Sequence, residues 1–219
     1  MPDYTPFAVP LPAITLSGRF ATLEPLAADH AAEACEAVSK GEIWKQWTTD
    51  IPSPDGMDAE IARRLGQHRQ GLMLPFAVRD AAGRFAGMTS LMNIDPAALR
   101  LEIGSTWYRQ DLRRTGVNTQ AKLLLLGHAF DRLGCIAVEF RTHFFNHASR
   151  AAIARLGAKQ DGILRNHRIS RNGTLRDTVV FSILDHEWPT VQAYLRWQLE
   201  RPRNPAVEGP APAPPDPPC

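Results

Sequence analysis

Residues 99–129 constrain this chain more than any other stretch, because a strand-like run meets a helix-like run across a short basic turn. The run Leu99-Arg-Leu-Glu-Ile-Gly-Ser-Thr-Trp-Tyr108 is rich in apolar and aromatic residues and reads as a strand. Gln120-Ala-Lys-Leu-Leu-Leu-Leu-Gly-His-Ala129 has no β-branched run and reads as a helix. Between them stands Arg113-Arg114-Thr115-Gly116-Val117-Asn118-Thr119. The first amides of a helix lack backbone acceptors and the helix dipole adds about half a positive charge there, so a basic turn at that end suits an anion such as a phosphate. Gly116 permits close backbone approach or a positive φ. Read alone, the turn is equally an ordinary strand-to-helix connection capped by Thr115 or Thr119.

The remaining sequence supplies an ordered set of segments around that turn. Arg113-Arg114-Thr115-Gly116-Val117-Asn118 resembles the R/Q-x-x-G-x-G/A loop of the GNAT N-acetyltransferases, with Asn118 standing where the motif has Gly or Ala. Asn146-His-Ala-Ser149-Arg-Ala-Ala-Ile153-Ala-Arg-Leu156-Gly157-Ala158 resembles the N-x-x-S-x-x-x-I-x-x-L-G-A segment of the RimJ/RimL-like branch, followed by residues 161–165 and 176–184. The likeness covers about residues 14–200. It implies an α+β GNAT fold: a mostly antiparallel mixed sheet with a splayed parallel strand pair and helices on both faces. It also implies acetyl-CoA as cosubstrate, no metal, and transfer by direct attack within a ternary complex. The acceptor is a primary amine, either a small molecule or a protein N-terminus.

Composition limits the other classes. The 219 residues suffice for one domain with a substantial core, and a net charge of +2 indicates no general nucleic-acid surface. No apolar run of membrane-spanning length and no signal peptide are evident, which fits a cytoplasmic enzyme, as a monomer or homodimer. Cys35, Cys135 and Cys219 show no metal or redox spacing; the first two fall on apolar segments as core residues, and Cys219 reads as an exposed thiol. Residues 1–13, with four prolines, read as an arm, residues 14–200 as the domain, and residues 201–219 as a disordered Pro-rich tail.

Within the domain, the alternation patterns predict strands at 14–24, 72–78, 84–93, 99–108, 135–141, 159–170 and 174–184, and helices at 31–39, 58–70, 117–133, 146–156 and 185–200. Arg63, Arg64, His68 and Arg69 read as a solvated face of the second helix. Trp44 and Trp47, three apart, would share a helical face and line either the acceptor pocket or the core.

The resemblance assigns the CoA pyrophosphate to Arg113, Arg114 and the amides of Thr115, Gly116, Val117, Asn118 and Thr119. Lys122 either reaches a phosphate or is solvated. A strand bulge near Ser105 or Trp107 would offer an amide to the thioester carbonyl. Trp107 and Phe144 would set the room for the acyl group, so that a longer acyl-CoA, or a non-catalytic CoA-binding role, remains open. Asn146 would bond the pantetheine arm, cap a helix, or both. The tyrosine that many GNAT enzymes carry seven residues after this Asn is replaced by Ile153; the resemblance to the RimJ/RimL-like branch implies instead that the Ser149 hydroxyl assists the departing thiolate, directly or through water, with a helix-stabilising hydrogen bond as its structural alternative. Glu102, in an apolar run beside the splay, is the first candidate base, with ion pairing to Arg100 or Arg168 as its structural alternative; His167 is the second. His143 and His147 read as surface residues.

Overall fold

The computed structural model describes residues 5–201. The expectations of a disordered tail and of an exposed Cys219 lie outside the described residues. Eight strands form one sheet in the order β1-β2-β3-β4-β5-β6-β8-β7. These are β1 (Leu16–Ser17), β2 (Ala21–Pro25), β3 (Met73–Asp80), β4 (Phe85–Asp95), β5 (Arg100–Tyr108), β6 (Ala137–His143), β7 (Lys159–Ile169) and β8 (Leu175–Leu184). Every pairing is antiparallel except β5 with β6. The expected first strand is split in two at residues 18–20.

Alternation along the strands feeds two cores, one on each face. Leu74, Phe76, Val78, Leu101, Ile103, Val138, Phe140, Val179 and Phe181 pack with Val117, Ala121, Leu125 and Ala129 of α3 (Gly116–Gly127) and the turn after it. Ile153 of α4 (His147–Ala154) and Val191 and Leu195 of α5 (Trp188–Glu200) join this core. Ala77, Phe85, Met88 and Trp107 face the other way, onto α1 (Ala31–Ser39) and α2 (Met57–Arg69). The arm lies against the body: Leu11 is buried, and its carbonyl is 2.9 Å from His68 Nε2.

Three sequence readings are corrected by packing. Arg64 is not solvated; it is buried beside Met57 and Ile61 at the i, i+4, i+7 positions of α2, where its Nε donates to Glu60 (2.7 Å) and its Nη1 to Ser90 Oγ (3.3 Å). Cys35 is only half-buried, its thiol donating to the Pro54 carbonyl, whereas Cys135 is buried as expected. The long helix is α-helical only as far as Gly127; His128–Arg132 form a π turn in which the Leu133 amide reaches the His128 carbonyl, and Gly134 closes it at φ +68°.

Candidate active site

The parallel pairing of β5 with β6 is short. It runs through Arg100↔Ala137, Leu101↔Val138 and Glu102↔Glu139, and stops there. Beyond Glu102 the two strands separate. In the same place β5 loses its even register with β4, passing from Met88↔Trp107 to Ser90↔Gly104, with Ser105 at φ +49°. An extra residue on one strand bends it and turns its peptide groups out of the ladder. The opening therefore has a bulged strand as one wall and a carboxylate at its inner end.

The basic turn lies where β5 leads into α3. Arg113 and Arg114 are exposed. The positive φ belongs to Arg114 (+61°), while Gly116 is the buried first residue of the helix and is not among the positive-φ glycines. Thr115, not Thr119, is the cap: its Oγ1 accepts from the Val117 amide (3.4 Å) and donates to the Leu112 carbonyl (2.7 Å). Val117 and Thr119 turn their side chains inward and are buried, so this turn can meet a ligand only through backbone amides, the two arginines and half-buried Asn118. Lys122 does not reach this turn or solvent. It is buried, its Nζ donating to Thr106 Oγ1 (3.0 Å) and, more weakly, to Thr89 Oγ1 (3.4 Å), and with no carboxylate beside it burial lowers its pKa to about 7. It braces the bulge from beneath.

Across the opening, Asn146 caps α4, its Oδ1 accepting from the Ser149 amide (3.0 Å). Only its Nδ2 is left to donate to a pantetheine arm. The Ser149 hydroxyl has no hydrogen bond among the described residues.

Glu102 is buried on the face opposite α3. Asn93 Nδ2 donates to its Oε2 (2.7 Å), and Arg141 Nε lies 3.6 Å from the same oxygen. Burial raises its pKa, and the bond from Asn93 and the nearby Arg141 only partly oppose this. Of the alternative pairings with Arg100 or Arg168, neither forms a close ion pair: Arg100 and Arg141 both hold Glu139 (2.6 and 2.9 Å), and Arg168 acts on Glu102 only at longer range. His167 Nδ1 lies 3.1 Å from Thr178 Oγ1, and its pKa is lowered by burial and then by Arg168, Arg141 and Arg176, which keeps the imidazole neutral near pH 7.

The tryptophans do not share a helical face. Residues 43–45 make a single 3₁₀ turn and Gln46 is extended, so Trp44 packs against the α1–α2 core while Trp47 swings out. The Trp47 ring meets His143 edge-on at 4.9 Å and lies 6.1 Å from Phe145. Trp107 faces the core between the sheet and α1 and is buried there, so its side chain cannot line an acyl pocket; Phe144 borders a cleft of about 460 Å³ with Phe145, Ile163 and Leu175.

His143 is not a surface residue: it is 2 % exposed, with Nδ1 accepting from the Phe145 amide (3.1 Å). Arg141, His143 and Arg176 were missed by sequence reasoning. The period-2 pattern of β6 and β8, which puts them on the Glu102 face, was the available signal.

Residues 21–159 match the family model described as an acetyltransferase (GNAT) domain. The chain belongs to the GNAT acetyltransferase family. A GCN5-related N-acetyltransferase from Brucella melitensis is 36 % identical to this GNAT protein, with 88 % of each chain covered and a TM-score of 0.79. The Bacillus subtilis protein named "Putative ribosomal N-acetyltransferase YdaF" is 33 % identical over 106 residues, a match that spans 48 % of this chain and 57 % of that relative. Mycobacterium smegmatis RimJ, solved in complex with CoA-disulfide, shares the fold at 22 % identity and a TM-score of 0.70, over 85 % of this chain and 93 % of that one. Among the described residues no helix is long and apolar enough to cross a membrane, and no group of three His, Cys, Asp or Glu side chains could hold a metal ion.

Proposed function

We propose that residues 14–200 of this GNAT protein transfer an acetyl group from acetyl-CoA to a primary amine, of a small molecule or a protein N-terminus, by direct attack within a ternary complex in the cytoplasm. The observation that carries this reading is the coincidence of the β5–β6 splay, the Ser105 bulge and a base-like carboxylate at one point of the sheet. The residues fit the cosubstrate. The amides that open α3, with Arg113 and Arg114, suit a pyrophosphate. Asn146 Nδ2, which the cap does not use, suits an amide-rich arm, and the edge of β5 left unpaired by β6 beyond Glu102 suits a thioester carbonyl as acceptor.

Glu102 takes the amine proton, directly or through water, because its raised pKa brings a carboxylate closer to the basicity the task needs. The nitrogen lone pair forms the N–C bond as the C–S bond breaks, and the sulfur leaves as a thiolate, which the Ser149 hydroxyl hydrogen-bonds or protonates. His167 is the second candidate base. Its bond to Thr178 holds it over the same face, and its lowered pKa leaves it neutral. The test is release of free CoA thiol from acetyl-CoA with a panel of primary amines. Turnover with at least one amine, lost in Glu102→Gln while CoA still binds, is expected. CoA binding with no turnover on any amine would leave a binding module instead.

A further inference from the structure

The face that bears Glu102 is uneven in charge. Period-2 alternation and register put Glu102 on β5, Glu139, Arg141 and His143 on β6, Arg176 and Thr178 on β8, and Arg168 on β7 on this one face. The segment around residues 47–51 arches over it: Trp47 lies on His143, Asp50 is 3.2 Å from Arg171, and Arg171 Nη1 donates to the Ile51 carbonyl (3.4 Å). The carboxylates here are already engaged. Glu139 is held by Arg100 and Arg141, and Glu102 by Asn93 and Arg141.

Three cationic or donor groups remain. Arg176 is mostly buried, its side chain 15 % exposed; its Nε is buried without a hydrogen-bond partner, and its nearest carboxylate, that of Asp50, is 4.0 Å away and closer to Arg171. Arg168 stands directly across from Arg176 in the β7–β8 register; it is exposed, makes no hydrogen bond or close ion pair among the described residues, and acts on Glu102 only at longer range. Like charges directly opposite on antiparallel strands repel each other. His143 is the third. Because its Nδ1 accepts from the Phe145 amide, its proton sits on Nε2, a buried donor that nothing accepts. Glu102 and Asp50 offset part of this positive charge through space, but neither accepts from the two buried donors. Buried donors are normally satisfied, so Arg176 Nε and His143 Nε2 mark the place of an absent acceptor.

We propose that the acceptor amine carries a carboxylate a few bonds from its nitrogen, clamped by Arg176 and Arg168 with His143 Nε2 as a further donor, so that the nitrogen is presented to Glu102. This rests on the acetyl-transfer reading above. It narrows the acceptor to amino acids or acidic N-terminal peptides, and it turns away polyamines, whose cations the arginines repel. Arg is suited to the task because its planar fork matches a carboxylate with two parallel hydrogen bonds.

The test uses matched acceptors and a binding probe. Glycine, β-alanine and γ-aminobutyrate are compared with their carboxamides, and a Ser-Glu tetrapeptide with its Ser-Gln counterpart, in wild type, Arg176→Gln and Arg168→Gln. The expected result is a preference of about 10- to 100-fold in kcat/KM for the acid in one set, the size of a lost charge-assisted hydrogen bond, collapsing in both variants with the KM for acetyl-CoA unchanged. The set that responds identifies a free amino acid or a peptide as the source. Equal turnover of acids and amides, or spermidine as the best acceptor, would overturn the proposal. Binding is read separately by titrating the CoA-loaded protein with malonate and malonamide. Selective malonate binding that weakens at least 10-fold in Arg176→Gln supports the anion site even if no amine turns over, in which case acetyl transfer is the part that fails. Malonate that binds no better than malonamide overturns the anion site whatever the turnover, and Arg168→Gln supplies the same reading should Arg176→Gln not fold.

Discussion

Replacing Lys122 with methionine should stabilise this protein at neutral pH, although it deletes two hydrogen bonds. Lys122 is 5 % exposed and its partners are the neutral hydroxyls of Thr106 and Thr89. Its folded pKa is about 7 against an ordinary value of 10.5. The folded amine thus binds its proton less tightly than the unfolded one, and between those two values the unfolded chain carries more protons. Stability rises with pH across that window, and the penalty is fully present below about pH 7. Integrating the two titrations gives a cost of about 4 kcal/mol at pH 7 and about 2 kcal/mol at pH 9. Methionine removes the penalty and keeps the length and the apolar stem. Against this stand the two lost bonds, about 1 kcal/mol each. No hydroxyl is orphaned, because Thr89 and Thr106 Oγ1 stay 2.7 Å apart. The net expectation is a Lys122→Met protein more stable than wild type by about 2 kcal/mol at pH 7 and level with it near pH 9. Urea unfolding of both proteins at the two pH values reads this as a shift in midpoint of about 1 M that vanishes at the higher pH. A gap that does not change with pH, or a variant less stable at pH 7, would show that Lys122 keeps its charge in the folded state and refute the reasoning.

Other perturbations test other parts of the structure. Glu60→Gln strips buried Arg64 of its carboxylate and should cost about 3 kcal/mol, read as a fall in melting temperature of about 6–12 °C. Gly116→Val places a branched side chain at the entrance to α3 and should weaken CoA binding by calorimetry well beyond any loss in the melt; an unchanged Kd in a folded variant would remove the turn from the CoA site. With Glu102 as base, kcat/KM should rise with pH through a pKa above the ordinary carboxylate range, since the rate needs the ionised form. Glu102→Gln should lose about 10²–10⁴-fold together with that limb of the pH profile, and retention of both would pass the role to His167, tested by His167→Gln. Ser149→Ala should cost less, because a thiolate leaves without full protonation; a loss as large as that of Glu102→Gln would make proton delivery to sulfur essential.

Local chemistry made most of the elements legible. The alternations in β4, β5 and β8, the turn residues between β3 and β4 and between β7 and β8, and the Leu-rich run of α3 are each decided by neighbours within a few residues. The opening beside Glu102 was legible only through the family resemblance, because a bulge at Ser105 and a parallel pairing three residues long leave no periodic signature.

By itself the sequence determined the type and rough place of most strands and helices, that Thr115 or Thr119 and then Asn146 stand at helix starts, and that Glu102 lies in an apolar strand, since all of these follow from side-chain spacing along one segment. Only the tertiary structure decided what happens to charge. Arg64 and Lys122 have the long polar side chains of surface residues, yet each sits on the inward side of its helix, one answered by a carboxylate and the other by two hydroxyls. Arg168 and Arg176, eight residues apart in the chain, become direct neighbours when β7 pairs with β8, and His143 is buried by a tryptophan nearly a hundred residues away. Desolvation and Coulomb forces depend on distance through space and on what excludes water, and one-dimensional spacing carries neither until the sheet has assembled.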